Sequence, residues 1–286
     1  MGSCNEAGKP VHTSVRLNDL PYEILLPVAR RQSSFSIQLW KNYADICEIR
    51  LISPSGEEVQ VYLDTELLVM GPPVQQYRSG RTRAVIYNGL PSPYQPLQEI
   101  FMDLIPMDQF VDSGNWRLRI TPVRIVSGEL ELWLPAGNIL NRGTGFAVPG
   151  QQHTLTVPSA SERVITVGAY DSRSQTYASF SGRGFTAFTN QVKPDLAAPG
   201  VEILAPKAGS GTDGRAAETA YGSFTGTSFA APAVAGAAAL LMQWGIVEKN
   251  DPWLYGSRLK SWFHRNARQL AAFETYPNPY VGYGVL

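Results

Sequence analysis

The chain has 286 residues, 44% hydrophobic and 17% charged, with 24 basic and 24 acidic side chains and a formal net charge of zero. That describes a globular chain able to build one large core or two modest ones. The balanced charge and the lack of any basic run argue against nucleic acid or an anionic membrane as a partner. Two cysteines, Cys4 and Cys47, give neither a disulfide framework nor zinc-ligand spacing. No cofactor and no metal site is expected, and no signal-peptide pattern precedes the first segment.

In chain order, Asn5-Glu-Ala-Gly8 is good turn chemistry. From Tyr22 the pattern has period two. Glu23–Val28, Ser34–Trp40, Cys47–Ser53, Glu58–Leu63, Thr82–Tyr87, Glu99–Leu104, Asn115–Thr121 and Gly128–Leu134 are short β-rich runs. Phe35, Ile37 and Leu39 alternate with Ser36 and Gln38, and Trp116, Leu118 and Ile120 alternate with Arg117 and Arg119. Pro54-Ser-Gly56, Asn88-Gly89, Asp112-Ser-Gly114 and Ser127-Gly128 separate the runs as turns. About eight strands at this spacing predict an antiparallel β-sandwich or jelly roll. No catalytic constellation lies in it, and its carboxylates fall mostly on polar strand faces. A packing role is expected ahead of a binding role, since a fold alone gives no function.

Past Asn141-Arg-Gly-Thr-Gly145 the residues become small. His153–Val157, Val164–Ala169, Thr176–Ser181 and Val201–Ala205 read as strands, and Lys207–Tyr221 reads as a polar loop. Gly226-Thr-Ser228 is a small turn, followed by no charge from Ser228 to Val247, which predicts a helix buried on all sides. Pro232 then belongs in its first turn. Asn250-Asp-Pro252 is expected to cap a further helix with Leu259, Trp262, Phe263 and Leu270 on one face. Strands followed by a buried helix make this part α/β. Ser228 sits at the helix N-terminus, where free N–H groups and the helix dipole stabilise negative charge. A serine placed there is suited to forming an acyl-enzyme, and the plainer alternative is a capping serine on a packed Ala-rich helix.

Gly226-Thr-Ser-Phe-Ala-Ala-Pro232, with Val234-Ala-Gly236, resembles the catalytic-serine motif of the subtilisin-like serine proteases. Val164-Ile-Thr-Val-Gly-Ala169, Ala178-Ser-Phe-Ser181 and Lys193-Pro-Asp-Leu-Ala-Ala-Pro-Gly200 resemble the segments that precede that serine, and Tyr283-Gly284 resembles the turn that follows it. Ala233 stands where many members carry a histidine that is not catalytic. Met1–Ala7 resembles the end of a core strand that usually reads Ala-Ala-Gly-Asn-Glu-Gly, with Cys4 and Ala7 in place of glycines. The resemblance implies that Ser228 is the nucleophile and that Asn5 is the side-chain donor of the oxyanion hole; the alternative for Asn5 is a surface turn. It also places Thr156, Val157 and Pro158 in the substrate cleft, with Pro158 where the family has a cis proline. Ser113-Gly-Asn-Trp-Arg-Leu-Arg119 resembles a strand of jelly-roll modules attached to such proteases. Asn250-Asp-Pro-Trp-Leu-Tyr-Gly256 and Leu241-Met-Gln-Trp-Gly245 resemble the clostridial germination-specific (Csp-type) subgroup, whose members cut the precursor of a cortex-degrading hydrolase during spore germination.

The family triad runs Asp, His, Ser along the chain, but no His-Gly-Thr-His segment is present, and the Asp-x-Gly tripeptide Asp112-Ser-Gly114 is a turn between β-rich runs and not the Asp-bearing strand end of the family. The three histidines have ordinary readings: His12 in a loop, His153 at a strand start, His264 on the solvent side of a helix. Without a base, Ser228 keeps its proton. The expected fold is α/β: a partial subtilisin-like parallel-sheet core with an inserted antiparallel β-sandwich of jelly-roll kind. Its divisions are 1–19 (core segment with Asn5), 20–145 (insert) and 146–286 (core with Ser228). The expected function is a serine endopeptidase acting on protein or peptide, inactive alone, with Asp and His supplied from upstream of Met1 or by a separate chain. A catalytically dead interaction protein and a non-functional gene fragment are the alternatives. The resemblance implies a spore or cytoplasmic location.

Overall fold

The computed structural model of the chain describes residues 1–62, 74–89, 97–136, 139–208 and 220–286. These form two compact units, one of Lys9–Gly150 and one of Met1–Gly8 with Gln151–Leu286.

In the first unit the period-two segments become strands: β1 (His12–Arg16), β2 (Tyr22–Val28), β3 (Phe35–Asn42), β4 (Ile46–Ile52), β5 (Glu58–Tyr62), β6 (Val74–Ser79), β7 (Thr82–Asn88), β8 (Leu97–Pro106), β9 (Gly114–Arg124) and β10 (Glu129–Trp133). All pairings are antiparallel, in a six-stranded sheet of order β1-β10-β3-β8-β7-β6 and a four-stranded sheet of order β2-β9-β4-β5. Inward residues of both sheets share one core, in which Ile37, Leu39, Ile49, Leu51, Ile100, Met102, Trp116 and Leu118 are fully buried. Each such side chain contributes about 1.5–3 kcal/mol by leaving water. The Trp116 indole keeps its polar end satisfied by donating Nε1–H to Asp112 C=O at 2.8 Å. The Ser127-Gly128 turn is held by the Asp45 carboxylate, which accepts the N–H groups of Val126 (2.6 Å), Ser127 (2.8 Å) and Gly128 (2.9 Å).

All eight expected runs are strands, with Leu63 outside the described residues. β1 and β6 are additional. His12 is therefore not a loop residue: it is buried in β1, with Nε2 2.6 Å from Glu131 Oε2. Because β1 pairs with β10, this compact unit starts at Lys9, whereas the sequence division falls after residue 19.

The second unit is built on parallel pairing. β11 (Val167–Asp171) lies beside β13 (Leu196–Pro199) in parallel and beside the short β12 (Thr176–Tyr177) in antiparallel. Residues 1–3 extend the parallel layer: Val167 N–H donates to Met1 C=O (2.7 Å) and Ser3 N–H to Val167 C=O (2.9 Å). Val285 bridges Ala197 on the other side, again in parallel. β14 (Ile203–Pro206) and β15 (Tyr221–Phe224) form a separate antiparallel pair that leads into helix α1 (Thr227–Met242). A π-helical turn, Gln243–Val247, follows, and then α2 (Gly256–Asn266).

Several expectations change here. The expected Thr176–Ser181 strand reduces to two residues, and 153–157 is not a strand because His153 has a left-handed φ of 56°. Within α1 only Thr227, Ala230 and Val234 are buried, so the helix is not enclosed on all sides. It packs on β11 and β13, and a layer on one side covers only one stripe of a helix. Leu240 (69% exposed), Trp244 (47%) and Val247 (72%) are open among the described residues. The stretch Thr227–Val247 is also long and apolar enough to cross a membrane by length and composition alone. Pro232 is the sixth helical residue, in the second turn, so the Ser228 C=O four residues earlier loses its helical donor. Asn250 and Asp251 do not cap α2, whose N-cap is Tyr255. Asn250 Nδ2 donates to Trp244 C=O (2.8 Å), and Asp251 pairs with Arg258 (2.9 Å). Of the expected face, Leu259 and Phe263 are buried and Trp262 packs with them, whereas Leu270 lies past the end of the helix and joins a different core cluster.

His264 does not face free solvent either. It stacks on Tyr283, with ring centroids 3.9 Å apart, and its Nε2 lies 3.0 Å from Asp195 Oδ1. Asp195 is 1% exposed. Its carboxylate also meets Lys260 Nζ at 2.9 Å, Lys193 Nζ at 2.8 Å and Thr166 N–H at 2.7 Å. Burial alone would raise its pKa, but the hydrogen bonds from His264, Lys193 and Thr166 outweigh burial and hold it below the ordinary 3.8. The unfolded chain therefore takes up a proton at higher pH than the folded one, so the stabilisation is complete above about pH 4 and lost as pH falls through the lowered folded value. Asp195→Asn leaves Lys193 buried without its counter-charge. It is expected to cost about 3–5 kcal/mol in urea unfolding at pH 7, with the gap to the parent chain closing in acid.

Candidate active site

Ser228 is the second residue of α1 and is exposed. The residue before the helix, Gly226, has φ 155° and ψ 158°, a conformation that essentially only glycine takes. A Cβ there would stand 3.2 Å from Asn5 Nδ2. The turn is tied into the sheet by two bonds: Gly226 N–H donates to Gly200 C=O (2.8 Å) and Gly200 N–H to Tyr170 C=O at the end of β11 (3.1 Å). The chain can pass this closely only because Gly200 has no side chain, since a Cβ would lie 2.7 Å from that of Ala169.

Asn5 and Ser228 are brought together across most of the sequence. Thr227 N–H donates to Asn5 Oδ1 at 2.9 Å. A backbone N–H can only face the carbonyl end of an amide, so this bond fixes the side-chain orientation and leaves Nδ2 as the outward donor. Phe229 N–H is taken by Gly226 C=O (3.0 Å), while Ser228 N–H, between them, has no acceptor among the described residues. Two donors unengaged among the described residues, Asn5 Nδ2 and Ser228 N–H, thus lie at the positive end of the 16-residue helix that carries Ser228. That arrangement can stabilise an oxyanion formed next to Ser228.

Of the expected cleft residues, Thr156 approaches this corner through a hydrogen bond with Cys4. Val157 is 91% exposed, and the Val157–Pro158 peptide is cis. Ser159 N–H donates to Thr156 C=O at 2.7 Å, closing a tight turn around the proline. Cys4 has φ 102° at a position where the resembling segments carry glycine, and burial pushes its thiol pKa up, so it is held as a thiol at neutral pH. No histidine hydrogen-bonds Ser228 Oγ among the described residues; His12 is engaged by Glu131 and His264 by Asp195. Thr227 was not singled out in the sequence, although the Asn side chain needs some donor to orient it, and the residue following Gly226 supplies it.

A family model described as the subtilase family matches residues 134–284. The chain belongs to the subtilase family. It is 38% identical over 124 residues to serine protease AprX of Bacillus subtilis (strain 168), a match covering 40% of this chain and 27% of AprX. It is 36% identical over 152 residues to subtilisin amylosacchariticus of Bacillus subtilis subsp. amylosacchariticus, covering 53% and 32%. Among solved structures it is similar to the Clostridium perfringens CspB protease, with a TM-score of 0.84 and 29% identity over 99% of this chain and 56% of that one. The chain thus spans under a third of these curated relatives and little more than half of the CspB chain. The subtilisin-like fold, largely sheet with few helices, and the resemblance to serine proteases follow from these matches together.

The two ends of the Asn5 amide are separable by substitution. Asn5→Ala removes the acceptor for Thr227 N–H and is expected to cost about 1 kcal/mol, the scale of a lost N-terminal helix partner. Asn5→Asp keeps that acceptor and adds a negative charge at the helix N-terminus, so it is expected to hold stability at pH 7. Thermal melts of the two variants against the parent chain check this ordering.

Proposed function

We propose that this subtilase chain carries the nucleophile half of a serine endopeptidase site for protein or peptide substrates. Ser228 attacks the scissile carbonyl, and Asn5 Nδ2 with Ser228 N–H binds the oxyanion of the tetrahedral intermediate. Thr156, Val157 and Pro158 form the wall along which the substrate lies. One observation carries the reading: Thr227 N–H holds the Asn5 carbonyl, which leaves two unengaged donors beside an exposed serine at a helix start. The catalytic Asp and His come from polypeptide upstream of Met1 or from a separate chain. The open apolar face of α1 and the π-helical turn that continues it, with Leu240, Trp244 and Val247, supports docking of such polypeptide rather than lipid, because the same helical stretch presents Ser228 and packs on the parallel layer. The Lys9–Gly150 unit is read as an inserted jelly roll with a packing role, and the structural similarity to CspB supports a Csp-type protease acting in spore germination.

A second reading is a pseudoprotease retained for interaction. It is favoured by the absence, among the described residues, of any histidine bonded to Ser228.

The two readings separate on fluorophosphonate labelling. In the first, the chain alone labels negligibly, on the scale of the loss of about 10⁶ in kcat known for subtilisin itself without its histidine. When completed with polypeptide bearing Asp-x-Gly and His-Gly-Thr-His segments, it labels at Ser228, and Ser228→Ala abolishes the label. In that complex Asn5→Ala and Asn5→Asp both lower kcat by about 10²–10³, again the scale measured in subtilisin. A completed protein that assembles but leaves Ser228 unlabelled overturns the protease reading.

A further inference from the structure

Along β8 the side chains alternate strictly. Ile100, Met102 and Leu104 point inward and are fully buried, so Glu99, Phe101 and Asp103 stand on the outer face of the six-stranded sheet. Register places Gln38 of β3 and Tyr87 of β7 on either side of Phe101 in one row. Tyr87 is 41% exposed, and its ring meets that of Phe101 edge-on, with centroids 6.0 Å apart. The face is therefore aromatic at its centre with a carboxylate two residues away in each direction. Solvated outer faces normally pair such acids with cross-strand cations, as the four-stranded sheet does: Glu23 with Arg119 (2.8 Å), and Glu58 with Arg50 and Arg119 (3.0 Å each). Here Glu99 has only the Gln38 amide at 3.2 Å, and Asp103 has neither a hydrogen bond nor an ion pair among the described residues. Arg83, the nearest cation in register, sits opposite Ile105 and pairs with neither acid.

We infer that this face, centred on Phe101 between Glu99 and Asp103, is a docking surface for an extended peptide segment bearing lysine or arginine. The geometry matches such a segment. An extended chain has the strand repeat of about 3.3 Å per residue, so its alternate side chains fall over successive outward positions of β8. Cationic tips reach the two carboxylates, and their stems or charged groups lie over the Phe101 and Tyr87 rings. Partial burial already raises the pKa of both acids, Glu99 despite its bond from Gln38, so an incoming cation recovers stabilisation that the free face lacks. The surface is independent of Ser228, so it stands whichever way the labelling experiment falls.

The test is fluorescence anisotropy of the whole chain with a labelled alternating Lys-Ala peptide, an alternating Glu-Ala peptide and a neutral oligosaccharide. The Lys-Ala peptide is expected to bind and to weaken at least tenfold in Asp103→Asn and Glu99→Gln, with melting temperatures unchanged or raised, because each variant removes an uncompensated half-buried charge. Phe101→Ala weakens binding at all salt concentrations, whereas 0.5 M salt weakens the parent. Equal binding of the Glu-Ala peptide, binding of the oligosaccharide instead, no binding of the Lys-Ala peptide, or affinity unchanged in the two charge variants would each overturn the assignment.

Discussion

The unit that holds Ser228 depends on one buried carboxylate. Asp195 enters β13, and its two oxygens collect the Thr166 N–H at the entry to β11, the Lys193 ammonium, and Lys260 and His264 from α2. Its own backbone accepts Tyr283 N–H (3.0 Å) and donates to Thr166 C=O (2.8 Å). An ion desolvated to this degree is costly unless every lone pair is matched, and here each oxygen has two donors. The consequence is positional: β11 and β13 are locked side by side in parallel, and these two strands carry α1. The ladder and the burial of both strands fix their register, and the Asp195 carboxylate adds a second tie at the strand entries that also holds α2.

That turn converts strand register into site geometry. Tyr170 C=O, Gly200 and Gly226 form a relay of backbone bonds from β11 to the helix start, and Thr227 then fixes the Asn5 amide. Residues 1–3 run along the same β11, so both arms reaching the site, one ending in Asn5 and one in Ser228, are measured from a single strand. The oxyanion role proposed for these donors needs such a common reference, because oxyanion stabilisation falls off steeply once the donors drift from hydrogen-bond distance.

Much of this was legible in the sequence, for reasons that can be named. Strict alternation in runs such as Phe35–Leu39 and Trp116–Ile120 leaves one burial solution, so eight strands were readable. β1 was not, because polar Thr13 interrupts the apolar series Val11, Val15, Leu17 and polar His12 is buried on the other face, beside Trp133 and bonded to Glu131. β13 was hidden inside Leu-Ala-Ala-Pro, whose small residues carry no period. The proximity of Asn5 and Ser228 came from the resemblance alone; no local rule joins residues so far apart in sequence. The error over α1 has a physical source. An uncharged run fixes what a helix can tolerate around it, and the number of layers present is a property of tertiary structure. His264 differs for a related reason: the polar side of an amphipathic helix reads as solvent-facing, but here that side meets the buried Asp195.

The open face of α1 and the π-helical turn after it therefore has an energetic meaning for the proposed endopeptidase. Leu240, Trp244 and Val247 each stand to contribute up to about 1.5–3 kcal/mol when covered. In the proposed reading, part of the free energy that would dock an Asp- and His-bearing polypeptide lies in the same continuous helical stretch that presents Ser228. Docking and completion of the triad would then be one event, since a serine without its base is a weak nucleophile. Covering the face by any partner lacking an imidazole would gain the same stabilisation and leave the serine inert, which is the energetic form of the pseudoprotease reading. The two readings share one surface and one driving force, and they differ only in whether the covering layer brings a base within hydrogen-bond reach of Ser228 Oγ.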